Sequence, residues 1–426
     1  MRAMKDSGIE WIGEIPEDWN VKRVKAVLCE RNESNNPIQT DRILSLTNDR
    51  GVIPYEEKGD VGNKSKEDLT GYKLAYPGDI VLNSMNVFIG SVALSSYFGC
   101  VSPVYYMLYP RNKNDSVSFY NYLFQTKELQ TKLHGYGNGI MEIRMRIQMS
   151  KLNSVQLPVP PSDVQQKIAD YLDRKCSQID AIIARQQEVI EKLKAYKLSV
   201  ITEAVTKGLN PHAPMKDSGV EWIGEIPEQW SVVPLTKQLK SIVDYRGKTP
   251  EKVDTGVFLV TAKNIKNGKI DYEISTEYVK VEDYEEIMHR GIPQIGDVLF
   301  TTEAPLGQVA NVDRTDIALA QRIIKFSTNE HLNSYYLKYW IMSIGFQNFL
   351  MALSTGSTAL GIKASKLFML PITLPSIKEQ QQIVTYLDNK CVSTEAAIMK
   401  KSSLIDSLIA YKKSLIYEVV TGKKEV

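Results

Sequence analysis

The chain has little cysteine, little histidine and no surplus of either charge. Its four cysteines (Cys29, Cys100, Cys176, Cys391) are dispersed over 426 residues without a C-x-x-C pair. That excludes a disulfide framework and a structural zinc knuckle, and predicts a reduced protein. The four histidines (His134, His212, His289, His331) include no i,i+4 pair, so no metal site is predicted. The 52 basic and 50 acidic side chains leave +2, so no global field draws in nucleic acid or anionic membrane. Any polyanion has to be held by a local patch. No apolar run approaches the ~18 residues of a membrane span. The opening MRAMKDSGIEW has no apolar stretch of the secretory kind. The expectation is a cytoplasmic protein with no membrane partner.

Catalytic motifs are missing too. An amino-methyltransferase needs an [Asn/Asp]-Pro-Pro-aromatic loop and a Gly-rich donor loop. Asn36-Pro37-Ile38 and Asn210-Pro211-His212 lack the second proline and the aromatic, and Phe88-Ile-Gly90 is not Gly-rich. Arg246-Gly-Lys-Thr249 ends like a phosphate-binding loop, but Ile242 stands where that motif requires glycine, so a basic turn is predicted. Asp79 and Asp297 follow glycines without a downstream Glu-x-Lys and read as turn-capping residues. No catalytic site is predicted.

What the chain does have is a duplication. Residues 4–19 read MKDSGIEWIGEIPEDW and residues 215–230 read MKDSGVEWIGEIPEQW, differing only at Ile9/Val220 and Asp18/Gln229. A second echo closes each copy, IADYLDRKC from Ile168 and IVTYLDNKC from Ile383. Between the frames lie blocks at about 20–156 and 231–369 whose sequences hardly match. Each carries a Gly-Asp turn entering an apolar run (YPGDIVL at Tyr76, QIGDVLF at Gln294), then a second glycine (Gly90, Gly307) and another such run. These read as buried strands, with helical stretches following at 119–133 and 332–351. Two α/β domains of related fold are expected. Proline-rich exits follow (LPVPP from Leu157, LPITLP from Leu370). Capping boxes are then predicted at Ser162 with Gln165 and at Ser376 with Glu379.

Two long helices are expected next. Ile168, Leu172, Cys176, Ile179, Ile183, Gln186, Ile190, Leu193, Lys197, Val200 and Ala204 keep a near-heptad spacing. Ile383, Leu387, Cys391, Thr394, Ile398, Lys401, Ile405, Leu408, Lys412, Leu415 and Val419 repeat it. Gly208 and Gly422 stand where C-terminal caps belong. Matching seams favour pairing of the two helices with each other; the alternative is that each packs only on its own block.

Basic residues in the blocks supply a nucleic-acid vocabulary, since Lys and Arg neutralise phosphates and Arg reaches base edges. The candidates are Lys64, Lys66, Arg144 and Arg146 in the first block. In the second they are Arg246, Lys248, Lys263, Arg322 and Lys363. Lys73 and Lys325 belong to the same basic sets. Arg144, Arg146 and Lys363 lead, because they end the Gly-rich loops GYGNGIMEIRMR and TGSTALGIK, where backbone can approach a ligand closely.

The order GIEWIGEIPEDW, variable block with a PGDIVL-type turn, LPVPPSDVQQKIADYLD, long helix, and all of it again resembles the specificity subunit of type I restriction–modification systems over nearly the whole chain. One departure is Leu374-Pro-Ser-Ile377 in place of Pro160-Pro-Ser-Asp163. The resemblance implies an α/β (α+β) fold with two target recognition domains separated by two long antiparallel coiled-coil helices in a pseudo-two-fold repeat. It sets the first frame and recognition domain at 1–160, the first spacer helix at 161–208, the second frame and domain at 209–375, and the second helix at 376–426. It further implies an asymmetric bipartite site on double-stranded DNA and two methyltransferase (modification) subunits held by the helices. Restriction (translocase/nuclease) subunits join where present. No cofactor is implied in this chain. S-adenosylmethionine is expected in the methyltransferase partner, with ATP and Mg in a restriction subunit. A coiled-coil scaffold without sequence-specific DNA binding and a self-contained methyltransferase are the rival readings.

Overall fold

The computed structural model describes residues 2–48, 50–59, 67–86, 89–136, 146–245, 247, 250–356 and 360–426. The chain forms two compact units, Met1–Gln186 with Ser403–Val426, and Gln187–Ser402. Both long helices, Ser162–Lys207 and Ile377–Val420, therefore contribute to both units.

In the first unit the opening frame folds as an antiparallel hairpin, Met4–Ile9 against Gly13–Pro16. The Asp6 carboxylate accepts the Gly8 N–H at 2.9 Å to set its turn. Ile9, Ile12, Ile15 and Trp19 face the core. The second unit repeats the hairpin, Met215–Asp217 against Glu225–Pro227, and buries Ile223, Ile226 and Trp230. The chain leaving each frame pairs with the chain leaving its block: Asn20–Arg23 with Gln156–Val159, and Ser231–Pro234 with Pro371–Leu374. The proline-rich exits are thus strands with one partner each, where a missing N–H is tolerated.

Between these ends each block builds a four-stranded antiparallel sheet of the same order. In the first unit it is Leu28–Arg31, Tyr105–Pro110, Ile80–Asn83, Val92–Leu94. In the second it is Leu239–Asp244, Ile323–Thr328, Val298–Thr301, Val309–Asn311. The Gly-Asp turns enter the buried strands as expected. Asp79 and Asp297 cap them by accepting the N–H groups of Tyr76 and Gln294, both at 2.9 Å. Both carboxylates are buried and paired with a cation of the same sheet, Arg31 Nε at 2.9 Å, two strands away, and Lys325 Nζ at 2.8 Å, on the adjacent strand. Outside this shared sheet the blocks differ. The second adds a three-stranded sheet in which Val257–Val260 and Ile317–Leu319 run parallel. The first has hairpin-like pairs, Leu44–Thr47 with Gly51–Pro54 and Lys73–Ala75 with Gly99–Val101.

The fold departs from the sequence pattern at the shorter helices and at one helix start. The helical stretches at 119–133 and 332–351 are each broken into two: Val117–Phe124 and Lys127–His134, then Ser334–Met342 and Ile344–Leu353. The breaks fall at Thr126 and Ser343, whose hydroxyls donate to the carbonyls of Leu123 and Trp340 at 2.7 Å. Such local bonds compete with the helical ladder. The capping box at Ser376 and Glu379 forms, with bonds of 2.8–3.3 Å. The one at Ser162 and Gln165 does not. Ser162 donates to Asp115 at 2.7 Å, and Gln165 turns inward. There its amide accepts the Ser116 N–H and donates to the Pro160 carbonyl, at 3.1 and 3.0 Å. The equivalent Gln380 accepts the Asn333 N–H at 2.7 Å and donates to His331 and Pro375. These buried glutamines bolt each helix start to its block.

The helices pair antiparallel within each unit. In the first, Ile168, Leu172, Cys176 and Ile179 share one core with Leu415, Ile416, Val419 and Val420, and Ile183 and Leu408 pack against it. In the second, Ile201, Ala204 and Val205 join Ile383, Val384 and Leu387. Ile190 is buried, and Leu193, Ile398 and Ile405 are half-buried, so no seam position is exposed. Lys412 and Lys197, which interrupt the apolar seam, each reach a carboxylate of the opposite helix: Asp180 at 2.7 Å and Glu395 at 3.4 Å. Each helix end is received by a frame. A Cβ on Gly422 would stand 2.4 Å from Pro16, closer than any side chain allows, and one on Gly208 would crowd Trp230 at 3.1 Å. The φ of +75° at both positions itself favours glycine.

Candidate nucleic-acid interface

At one end of each four-stranded sheet three loops meet on a buried hydroxyl. In the second unit it belongs to Thr302, at the end of the Val298–Thr301 strand. Its N–H and Oγ–H both donate to the Arg322 carbonyl, at 2.9 and 3.2 Å, and its own carbonyl accepts the Ile362 N–H at 3.0 Å. In the first unit Ser84 does the same, donating from N–H and Oγ to Val104 at 3.2 and 2.6 Å and accepting from Ile147 at 2.9 Å. The chain after a buried strand, the loop before the next strand and the exit of the Gly-rich loop are thereby tied together twice, once per unit.

Those ties bring several predicted residues to the same end. Arg146 is exposed beside buried Ile147, and Lys363 is exposed beside buried Ile362. Arg322 is exposed at the loop that Thr302 grips, with φ +80°, and its Nε is 2.9 Å from Glu303 Oε1. Lys263 follows the Val257–Val260 strand. Because that strand is parallel to Ile317–Leu319, Lys263 and Arg322 leave the sheet at the same end, and the Ala320 N–H donates to the Val260 carbonyl at 2.9 Å. Tyr245 N–H reaches the Ile323 carbonyl at 3.4 Å. Lys64, Lys66, Arg144, Arg246 and Lys248 lie outside the described residues. Lys73 and Lys325 serve the fold instead. Both are largely buried in ion pairs, with Glu30 at 3.3 Å and Asp297 at 2.8 Å, and they brace sheets.

Sequence reasoning missed Ser84, Thr302 and Gln380 and gave Gln165 a capping role in place of its anchoring one; all four are buried. Superposing the two copies would have flagged them, since each sits at the end of a shared strand or the start of a shared helix. It also missed the joints between helices and blocks. Tyr122 donates to Asp173 at 2.7 Å in the first unit, and Tyr339 to Asp388 at 2.5 Å in the second. Burial, reinforced by those carboxylates, raises both phenols well above their ordinary range, so they remain neutral donors. Burial likewise raises the thiols of Cys176 and Cys391. Among the described residues no group of three or more His, Cys, Asp or Glu side chains could hold a metal ion, and no helix is long and apolar enough to cross a membrane.

A family model described as the type I restriction modification DNA specificity domain matches residues 16–192 and again 228–401. The type I restriction enzyme MjaVIII specificity subunit of Methanocaldococcus jannaschii is 26% identical over 433 residues, covering 97% of this chain and 94% of that one. Two solved structures share the fold. One, from work on complex assembly and conformational transition of the type I restriction–modification system, has a TM-score of 0.72 at 13% identity, with 96% and 99% of the two chains covered. The HsdS subunit from Thermoanaerobacter tengcongensis has a TM-score of 0.52 at 15% identity, with 96% and 98% covered.

Proposed function

The chain belongs to the type I restriction–modification DNA specificity family, and from that premise we propose that its two units read the two halves of one asymmetric, bipartite site on double-stranded DNA. Its role is DNA sequence recognition. The observation that carries the bipartite reading is the repeated three-loop junction: the same scaffold, Ser84 in one unit and Thr302 in the other, presents loops of unlike sequence. A shared scaffold with unlike loops supports two readers with different half-sites. Arg146, Arg322, Lys263 and Lys363 stand at these ends as the DNA-contacting set, a mixture of phosphate and base contacts. Arg144, two residues before Arg146 in the Gly-rich sequence, joins this proposal, and Lys64, Lys66, Arg246 and Lys248 remain candidates by sequence.

The long helices carry two methyltransferase subunits, and restriction subunits join where the system has them. Chemistry belongs to those partners, which bind S-adenosylmethionine and, for restriction, ATP and Mg. Specificity without catalysis is the role of this chain. The test is co-expression with a type I methyltransferase subunit, followed by mapping of methylated adenines and by retention of a randomised duplex pool on the purified complex. A split motif with two unlike halves is expected, and no methyl transfer by the purified chain alone. Retention without sequence preference would favour the coiled-coil scaffold, and transfer by the chain alone would overturn the division of labour.

A further inference from the structure

Arg322 is held more tightly than a surface arginine needs to be. It lies at φ +80°, a region that residues with a Cβ avoid. Its carbonyl is clamped by both donors of buried Thr302. Its side chain is fixed through Nε, 2.9 Å from Glu303 Oε1. Glu303 is itself wedged from the other side. It forms an antiparallel bridge with Gly361, and a Cβ on Gly361 would stand 3.3 Å from both Glu303 Cβ and the Thr302 carbonyl. Gly361 in turn closes the neck of the Gly-rich loop through reciprocal bonds with Thr355, at 2.9 and 3.0 Å. Glu303 therefore fills the joint between that neck and Arg322. The two side chains are 41% and 47% exposed, and an ion pair so exposed adds little stability. Its effect is on orientation.

We propose that Glu303 is a positioning residue for Arg322. By holding Nε, it presents the terminal edge of the guanidinium for bidentate contact with O6 and N7 of a guanine, at one position of the half-site read by the second unit. This rests on the DNA-recognition reading above and deepens it. An unrestrained arginine meets phosphates as readily as bases, and phosphate contacts carry no sequence information. A guanidinium fork that is already aimed loses less freedom on binding. The Glu303 carboxylate also repels phosphates, which penalises the sequence-independent mode.

The test uses the full chain with its methyltransferase partner and a randomised duplex pool, sequenced after selection. The wild type is expected to require guanine at one position of the second unit's half-site. Arg322→Ala should reduce discrimination there by roughly 5- to 150-fold, the worth of a bidentate base contact. Glu303→Gln should relax the same position, raise retention of unrelated duplexes and leave the first unit's half-site intact, with Glu303→Asp restoring part of the preference. If Arg322→Ala instead weakens all sequences evenly and flattens the salt dependence, Arg322 contacts phosphate and the proposal fails. If Arg322→Ala relaxes the position and Glu303→Gln does not, Arg322 reads DNA unaided and the positioning role fails alone. Absence of any enriched motif with the wild type would instead overturn the recognition reading itself. Should Glu303→Gln lose both half-sites through general damage, Arg322→Lys decides. It keeps Glu303 and the charge but not the fork, so an unchanged motif overturns the proposal; relaxation of that one position supports the base contact, and Glu303→Asp then decides the positioning role, which partial relaxation at that position alone supports and a fully kept preference overturns.

Discussion

Asp297 shows how a residue can look functional in the sequence and be structural in the fold. It is 7% exposed and accepts the Gln294 N–H, the Lys325 ammonium at 2.8 Å and the Ser327 hydroxyl at 2.7 Å. Removing it strands a buried lysine. Asp297→Ala should therefore cost about 3–5 kcal/mol, measured by denaturant unfolding. The double variant with Lys325→Met should recover most of that loss. Asp79→Ala should cost less, because its partner Arg31 is 25% exposed and can turn to water. Equal losses in the two units would show that burial does not set the difference. The turn-capping role of both carboxylates was legible because Gly-Asp before an apolar run has few other uses. Ser84 and Thr302 were not legible. A hydroxyl after a strand is common, and only the folded chain reveals that it grips a loop some twenty residues away.

The long helices were the most legible elements, because a heptad seam needs only spacing and apolar character. Even its interruptions carried meaning, since Lys197 and Lys412 turn out to be interhelical ion pairs rather than flaws. The shorter helices were less legible, since Thr126 and Ser343 break them by local bonds that periodicity does not register. Ile183 packs against the first unit's core and Ile398 is half-buried in the second. Replacing both by Asp would put unpaired charge into the seam, at a cost of several kcal/mol. Loss of compactness by small-angle scattering and loss of methyltransferase binding are expected; unchanged assembly would contradict the pairing. The pair at Glu395 adds a pH dependence. Burial pushes its carboxyl up, but the hydrogen bond from Lys269 and the charges of Lys197 and Lys269 more than offset this, so it titrates below its ordinary 4.5. A depressed folded value stabilises the fold above the unfolded one, and that contribution is lost as pH falls through the folded value. Glu395→Gln should flatten the acid side of the stability profile of the full chain, and an unchanged profile would show the pair to be inert.

At the scale of the whole molecule, each unit contains one frame, one block and part of both helices, so the duplication seen in the sequence is a duplication of a complete reading module. Because both helices contribute to both units, their length is the natural control of the spacer between half-sites. One heptad inserted in each helix adds about 10 Å, equivalent to about three base pairs of rise. The methylated motif should then keep its two halves and lengthen its spacer. What the sequence could not supply is the identity of the bases, because the loops that would read them are where the two copies diverge. The most direct measurement is exchange of block two, about residues 231–369, for that of a relative with a different specificity, followed by a genome-wide map of methylated adenines in cells that also express the methyltransferase subunit. One half of the motif should change while the other half and the spacer stay as they were. A motif altered in both halves at once, or in neither, would contradict two independent readers on one repeated scaffold.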